Sequence, residues 1–184
     1  MPRVPLIDPD TQDPVIAALF AALRAKGGGP LNLHRTIANA PELLGPFLDL
    51  AFALRAAPVS PRIDRELVIL RTLQLAGGDY AFAHHRAMGL SFGLTEAQIG
   101  DLDRWRNSPH FSDRQRALLS YTDAMTSPNG VDDTTCQAVA TILPPREMVE
   151  ITLSAAFYAM VAQLTRALRV PLDADGVAGR YGQQ

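Results

Sequence analysis

Residues 60–93 read SPRIDRELVILRTLQLAGGDYAFAHHRAMGLSFG, and the punctuation of this stretch decides the fold. Ser60-Pro61 opens a helix, because proline is tolerated in a first turn whose N–H groups have no intrahelical partner. Ile63, Leu67, Leu70 and Leu73 then recur at helical spacing, and Gly77-Gly78 stops the run. Asp79 can cap a partner helix, whose end is marked by Gly93. Two apolar helices joined by so short a turn pack antiparallel.

The same signals extend outward in both directions. Asp13-Pro14 can cap a helix to about Ala25, ended by Gly27, Gly28 and Gly29. Residues 31–39 read as a short helical or irregular connector. Asn39 to Pro41 opens a helix to about Ala56, which Pro58 closes. Thr95 with Gln98, and Ser112 with Gln115, match the capping box, in which hydroxyl and amide satisfy each other's orphan backbone donors. Asp132 or Asp133 starts another helix to about Ile142, and Pro144-Pro145 precedes a long apolar one from about Arg146 to Arg169. The tail after Pro171, rich in Gly and Asp, reads as irregular. Strand patterns are nearly absent. The expectation is an all-α, antiparallel helical bundle of about eight helices, in one domain spanning residues 1–184.

Composition bounds the function. The chain is 47% hydrophobic and 20% charged, with a formal net charge of -2 and charges of both signs interspersed. Nothing resembles the basic patch that a nucleic-acid surface requires. Cys136 is the single cysteine, which excludes an intrachain disulfide and a zinc site built on several thiolates, and fits a reducing compartment. Met1 to Thr11 carries three prolines and two aspartates and lacks the apolar run of a signal peptide. No run of about 20 uninterrupted apolar residues suggests a membrane span. A cytoplasmic protein with no membrane partner is expected.

Two polar residues stand where apolar ones belong. Glu66 lies on the stripe of Ile63, Leu67, Leu70 and Leu73, with Arg62, Arg65 and Arg71 supplying positive charge nearby. His85 shares a stripe with Ala81, Phe82, Met88, Gly89 and Phe92, so its imidazole should face protein. His84 lies about 100° round the helix, beside Tyr80, Ala87 and Ser91. One reading is a general acid/base pair, a carboxylate tuning a histidine in a partly dry pocket. The other is a core histidine whose nitrogens are satisfied by Glu66, a backbone carbonyl or water. Folded about Gly77-Gly78, Glu66 lies about 17 Å from the turn and His85 about 11 Å, at about 1.5 Å per residue. A long side chain or a bridging water could span that offset.

Other chemistries fit less well. Adjacent His84 and His85 cannot both turn to one ion from a regular helix, so no metal site is expected. No Gly-x-Ser-x-Gly turn follows a strand, and Gly27 to Gly29 lacks the strand, Lys and Ser/Thr of a phosphate loop. Arg65-Glu66-Leu67-Val68 is echoed by Arg146-Glu147-Met148-Val149, which reads either as an old duplication or as two amphipathic helices drawing on the same residue types.

The segments Arg65 to Arg71, Gly78 to His85 and Gly93 to Ile99 resemble the carboxymuconolactone decarboxylase-like superfamily. Its alkylhydroperoxidase D branch carries a glutamate, eleven residues, Cys-x-x-Cys, three residues and a histidine. Laid on this chain, those positions are Glu66, Gly78, Ala81 and His85, so both redox cysteines are missing. Tyr80, His84 and His85 in the order Tyr-x-x-x-His-His, with Leu31 to Arg35, Ala40 to Leu43 and Phe111-Ser112, resemble a subgroup of decarboxylase-like proteins over about residues 30–170.

The resemblance implies an alkylhydroperoxidase D-like fold and non-redox, lyase-type chemistry on a small organic acid or lactone. His85 and Glu66 would be the catalytic pair, Tyr80 and His84 would bind substrate, and no organic cofactor is implied. A non-catalytic binding module of the same fold is an alternative. Residual peroxidase activity is a second, and would depend on Cys136, which reads as an ordinary thiol. Members associate, and Leu153, Ala155, Ala156, Phe157, Tyr158, Met160, Val161 and Leu164 make the last helix apolar round much of its circumference. Either it is the central core helix or it joins subunits; a homo-oligomer is expected, with a trimer as the leading number.

Overall fold

A computed structural model of the chain describes residues 1–57 and 59–173. Among these residues there is no strand, and the helices are α1 (Pro14–Ala25), α2 (Asn32–Ile37), α3 (Pro41–Arg55), α4 (Arg62–Ala76), α5 (Asp79–Ser91), α6 (Glu96–Gly100), a 3-10 turn (Leu102–Arg104), α7 (Asp113–Thr126), α8 (Asp133–Ala140) and α9 (Pro145–Leu168). The architecture is all-α, as expected, and the connector at residues 31–39 contributes a helix of its own. The expected stop at Pro58, and all but the first residues of the irregular tail, lie outside the described residues.

Local chemistry explains where most helices begin. The Asp13 carboxylate accepts from the Val15 and Ile16 amides, and that of Asp132 accepts from Thr135. Both capping boxes form, at Thr95 with Gln98 and at Ser112 with Gln115. Gly77 ends α4 in the left-handed region at φ 64°, where a side chain would be strained. Asp79 corrects the sequence reading: Gly78 holds the cap position and Asp79 is the first helical residue, where its charge still favours the helix dipole.

The described residues fall into two compact units, one of residues 1–55 with 164–173 and one within residues 56–163. In the first, Ile16, Phe20 and Leu23 of α1 pack with Ala38 and with Leu44 and Leu48 of α3. Each large side chain buried there contributes about 2 kcal/mol.

The second unit is organised round α4, which is buried continuously from Asp64 to Leu73. Leu67 and Leu70 face Leu94, Leu102, Trp105 and Leu119, while Val68 faces Leu118, Tyr121, Ile151 and Ala155. A helix enclosed on every side must find partners for its polar groups, since an unpaired buried charge is costly. α4 and α5 run antiparallel, as the short turn requires. α4 and α7, which are not neighbours in sequence, run in the same direction: Arg114 donates to Asp64 near both helix starts, and Arg71 to Asp123 towards both ends.

Ile151, Ala155, Phe157, Val161 and Ala162 of α9 are buried. By length and composition alone α9 could cross a membrane, but it serves here as a core helix. Its opposite side exposes Val149, Leu153, Ala156 and Met160.

Candidate functional site

The enclosure of α4 sets a separate task for each polar residue on it. Arg65 donates to the carbonyls of Ala57 and Ser60 and to the Ser60 hydroxyl, which in turn donates to Glu150. Arg71 donates to Asp123, Gln74 and the Leu102 carbonyl. These two arginines are architectural. Arg62, the third cation noted in the sequence, places Nη2 2.7 Å from Glu66 Oε1, one helical turn away. That contact is a buried ion pair within one helix.

Glu66 is 0% exposed, and its second oxygen lies 2.7 Å from Nδ1 of His85, itself 4% exposed. The pair expected from the sequence is therefore in direct contact, with no water needed to bridge it. Close approach of the two helices makes this possible. A Cβ added to Gly89, one turn beyond His85, would lie 2.9 Å from Leu94 Cδ1, 3.2 Å from Leu70 Cδ1 and 3.8 Å from Glu66 Cβ. The absence of a side chain at Gly89 leaves that space to the Leu94 and Leu70 methyls where α5 passes α4.

Burial by itself pushes the Glu66 carboxyl up. The charge and hydrogen bond of His85, followed by the Arg62 guanidinium, outweigh that effect and hold the group below the ordinary carboxylate range. Glu66 is accordingly ionised at neutral pH. An ionised carboxylate only accepts hydrogen bonds, so Nδ1 of His85 carries a proton and donates it to Oε2. Nε2 is then the nitrogen at which His85 exchanges a proton.

The remaining predicted residues form a second pair one step round α5. Tyr80 and His84 are buried, with ring centroids 5.0 Å apart. Sequence reasoning missed Tyr158 of α9 as part of this region: its ring meets that of His85 edge-on at 4.3 Å. No local signal could have found that contact, since Tyr158 reads as one more residue of an apolar helix. The Arg62–Glu66 pairing had a signal in its i,i+4 spacing.

The position of the first missing cysteine is closed as well as changed. A Cβ on Gly78 would lie 2.7 Å from Ala162 Cβ and 2.8 Å from Leu73 Cδ2, closer than real contacts allow. Cys136 sits on α8, half-buried. An open depression of about 530 Å³ is lined by Asp133, Thr134, Gln137, Ala138 and Thr141, all on or beside α8 and none of them part of the predicted site. Among the described residues, no group of three or more His, Cys, Asp or Glu is placed to hold a metal ion.

Residues 41–124 match the model of the carboxymuconolactone decarboxylase family. No match is found among the curated proteins. Among solved structures, an uncharacterised peroxidase-related protein from Ralstonia eutropha JMP134 with an alkylhydroperoxidase AhpD core superimposes with a TM-score of 0.82 at 15% identity, covering 98% of this chain and 96% of that one. A peroxidase-related protein from Silicibacter sp. TM1040 gives a TM-score of 0.78 at 18% identity, covering 100% and 95%. The debrominase Bmp8, as a cysteine-to-alanine variant in complex with 2,3,4-tribromopyrrole, also gives 0.78 at 18% identity, covering 95% of each chain. At such identities the likeness is one of fold.

Proposed function

We propose that the chain, whose residues 41–124 match the carboxymuconolactone decarboxylase family and whose fold is that of alkylhydroperoxidase D-like proteins, carries out non-redox acid/base chemistry of the decarboxylase type on a small organic acid or lactone. The observation that carries this reading is the buried 2.7 Å bond between Glu66 and His85, in a chain with no cysteine at positions 78 and 81. A carboxylate and an imidazole without thiols beside them can move protons but not electrons.

In the proposed reaction the substrate carboxylate leaves as carbon dioxide, and its bonding pair remains on the adjacent carbon as a carbanion or enolate. Imidazolium at His85 stabilises that charge and then protonates the carbon from Nε2. Water returns a proton to the imidazole. Glu66 keeps Nδ1 protonated and the ring oriented, while Tyr80 and His84 contact the substrate. That a debrominase of this fold holds a tribromopyrrole supports a substrate of about that size. No organic cofactor enters the scheme.

His85→Ala, assayed for carbon dioxide release from small lactones and β-keto carboxylates, is expected to lose turnover by about 10²-fold or more. Unchanged turnover would remove His85 from the mechanism. A second reading is favoured by the completeness of the pairing: Glu66 and His85 serve as a buried structural pair in a binding module, which predicts ligand binding without turnover. Peroxidase activity would have to use Cys136, and the closed space at Gly78 counts against a dithiol mechanism.

The reading includes a cytoplasmic location and a homo-oligomer, of which only association is supported by the outward apolar row of Val149, Leu153, Ala156 and Met160 on α9. A monomer by light scattering would remove that part.

A further inference from the structure

We infer that Arg62 is a positioning residue that frees the His85 proton, because it gives Glu66 a permanent counter-ion whichever protonation state His85 adopts. This deepens the acid/base reading above and rests on it. Glu66 is fully enclosed, and each of its oxygens faces a different cation, Arg62 at 2.7 Å and His85 at 2.7 Å. Consider the site with His85 as the sole counter-ion. Loss of its proton would leave an uncompensated carboxylate in the interior, so the proton would stay where it was. With Arg62 present, whose guanidinium does not deprotonate, the three groups pass between a net charge of +1 and 0. Neither state contains a lone buried anion.

The packing round Arg62 suits this task. Its side chain is 16% exposed, its guanidinium lies 4.9 Å from the centre of the Phe92 ring, and Nη2 lies 3.9 Å from Met88 Sδ. Met88 lies on α5 and Phe92 is its C-cap residue, so the helix that carries the imidazole also seats the cation. Among the other ionisable groups round the pair, Arg65 acts on Glu66 through its charge while its hydrogen bonds go to the turn at Ala57 and Ser60, so Arg62 is the cation in direct contact with the carboxylate. His84 packs against Tyr80. Arg86 pairs with Glu96 at the surface. From α9, Tyr158 presents its ring edge to His85.

The test reads the proton itself and needs no substrate. Side-chain ¹⁵N NMR would follow the four histidines through a pH titration in the wild-type chain, Arg62→Gln and Arg62→Lys, with His85→Gln assigning the signal. Wild-type His85 should pass from imidazolium to the Nδ1–H tautomer. Arg62→Gln should raise its proton affinity about tenfold or more, moving the midpoint upward, and Arg62→Lys should restore most of the original value. A packing role would leave the midpoint unmoved in Arg62→Gln, and that result would overturn the inference.

Should Arg62→Gln fail to fold, infrared difference spectra of the wild type decide. Above the His85 midpoint Glu66 must retain its carboxylate band; a protonated-acid carbonyl band that vanishes in Glu66→Gln would sink the proposal. Turnover by His85→Ala tests the acid/base reading separately, so the two can fail independently.

Discussion

The string Arg-Glu-x-Val occurs at Arg65–Val68 and again at Arg146–Val149, and the two glutamates meet different fates. Glu66 is 0% exposed and Glu147 5%, so burial does not separate them. Their partners do. Glu66 is shared between Arg62 and His85, whereas Glu147 pairs with Arg114 of α7, whose guanidinium is also bonded to Asp64. One carboxylate has an imidazole as well as an arginine for a partner; the other's partner is a guanidinium, which stays charged. The preceding arginines differ too, Arg65 being buried against a turn while Arg146 lies exposed, 3.4 Å from Glu150. Chemistry is assigned by what crosses from the neighbouring helix, and the local string does not encode it.

This contrast makes its largest prediction for stability. Arg114→Met removes the common partner of two buried carboxylates and should cost about 3–5 kcal/mol by urea denaturation. His85→Gln leaves Glu66 with Arg62 and should cost only about 1–2 kcal/mol. The reverse order would make His85, not Arg114, the structural member, and the comparison would collapse into two equivalent salt bridges.

A smaller effect belongs to the turn between α4 and α5. Gly78→Ala forces a methyl into space held by Ala162 and Leu73, and should destabilise by about 2 kcal/mol. Replacing Gly78 and Ala81 together by cysteine should consequently fail to confer hydroperoxide reduction. A well-folded double variant that reduces a hydroperoxide would show that the site had lost its thiols without being remodelled.

The helices were legible because their ends are written in short-range chemistry: Asp13, Thr95 with Gln98, Ser112 with Gln115, and Asp132 all cap as their spacing predicts. Asp79 misled because a carboxylate suits the first helical position as well as the cap, and the torsions that decide between them depend on Gly78. Glu66 and His85 were legible as a pair because each breaks an apolar stripe on helices that a tight turn must bring together. What could not be read is side-by-side geometry between distant segments. The parallel course of α4 and α7 is visible only through Asp64–Arg114 and Arg71–Asp123, and the place of Tyr158 depends on how α9 returns to α5. Ser60 shows the same limit locally: it reads as a helix start, but its hydroxyl is used by Arg65 and Glu150 while Pro61 takes the cap position.

The smallest predicted effect is a dependence on acid. Glu66 titrates below its ordinary range in the folded chain, although burial alone would raise it, because His85 and Arg62 favour the charged form more strongly. Its unfolded value is about 4.3. A depressed folded value means that the native state holds its proton less tightly than the unfolded chain does. The stabilisation from ionised Glu66 is therefore complete above about pH 5 and is lost as the pH falls through the folded value. Glu66→Gln keeps the shape of the side chain and removes the charge. It should cost about 1–2 kcal/mol at neutral pH, and urea midpoints of the two proteins should converge as the solution is acidified below about pH 4. A gap that stays constant through that window would mean that Glu66 holds α4 to α5 by hydrogen bonding alone, leaving its charge without a part in the fold or in tuning His85.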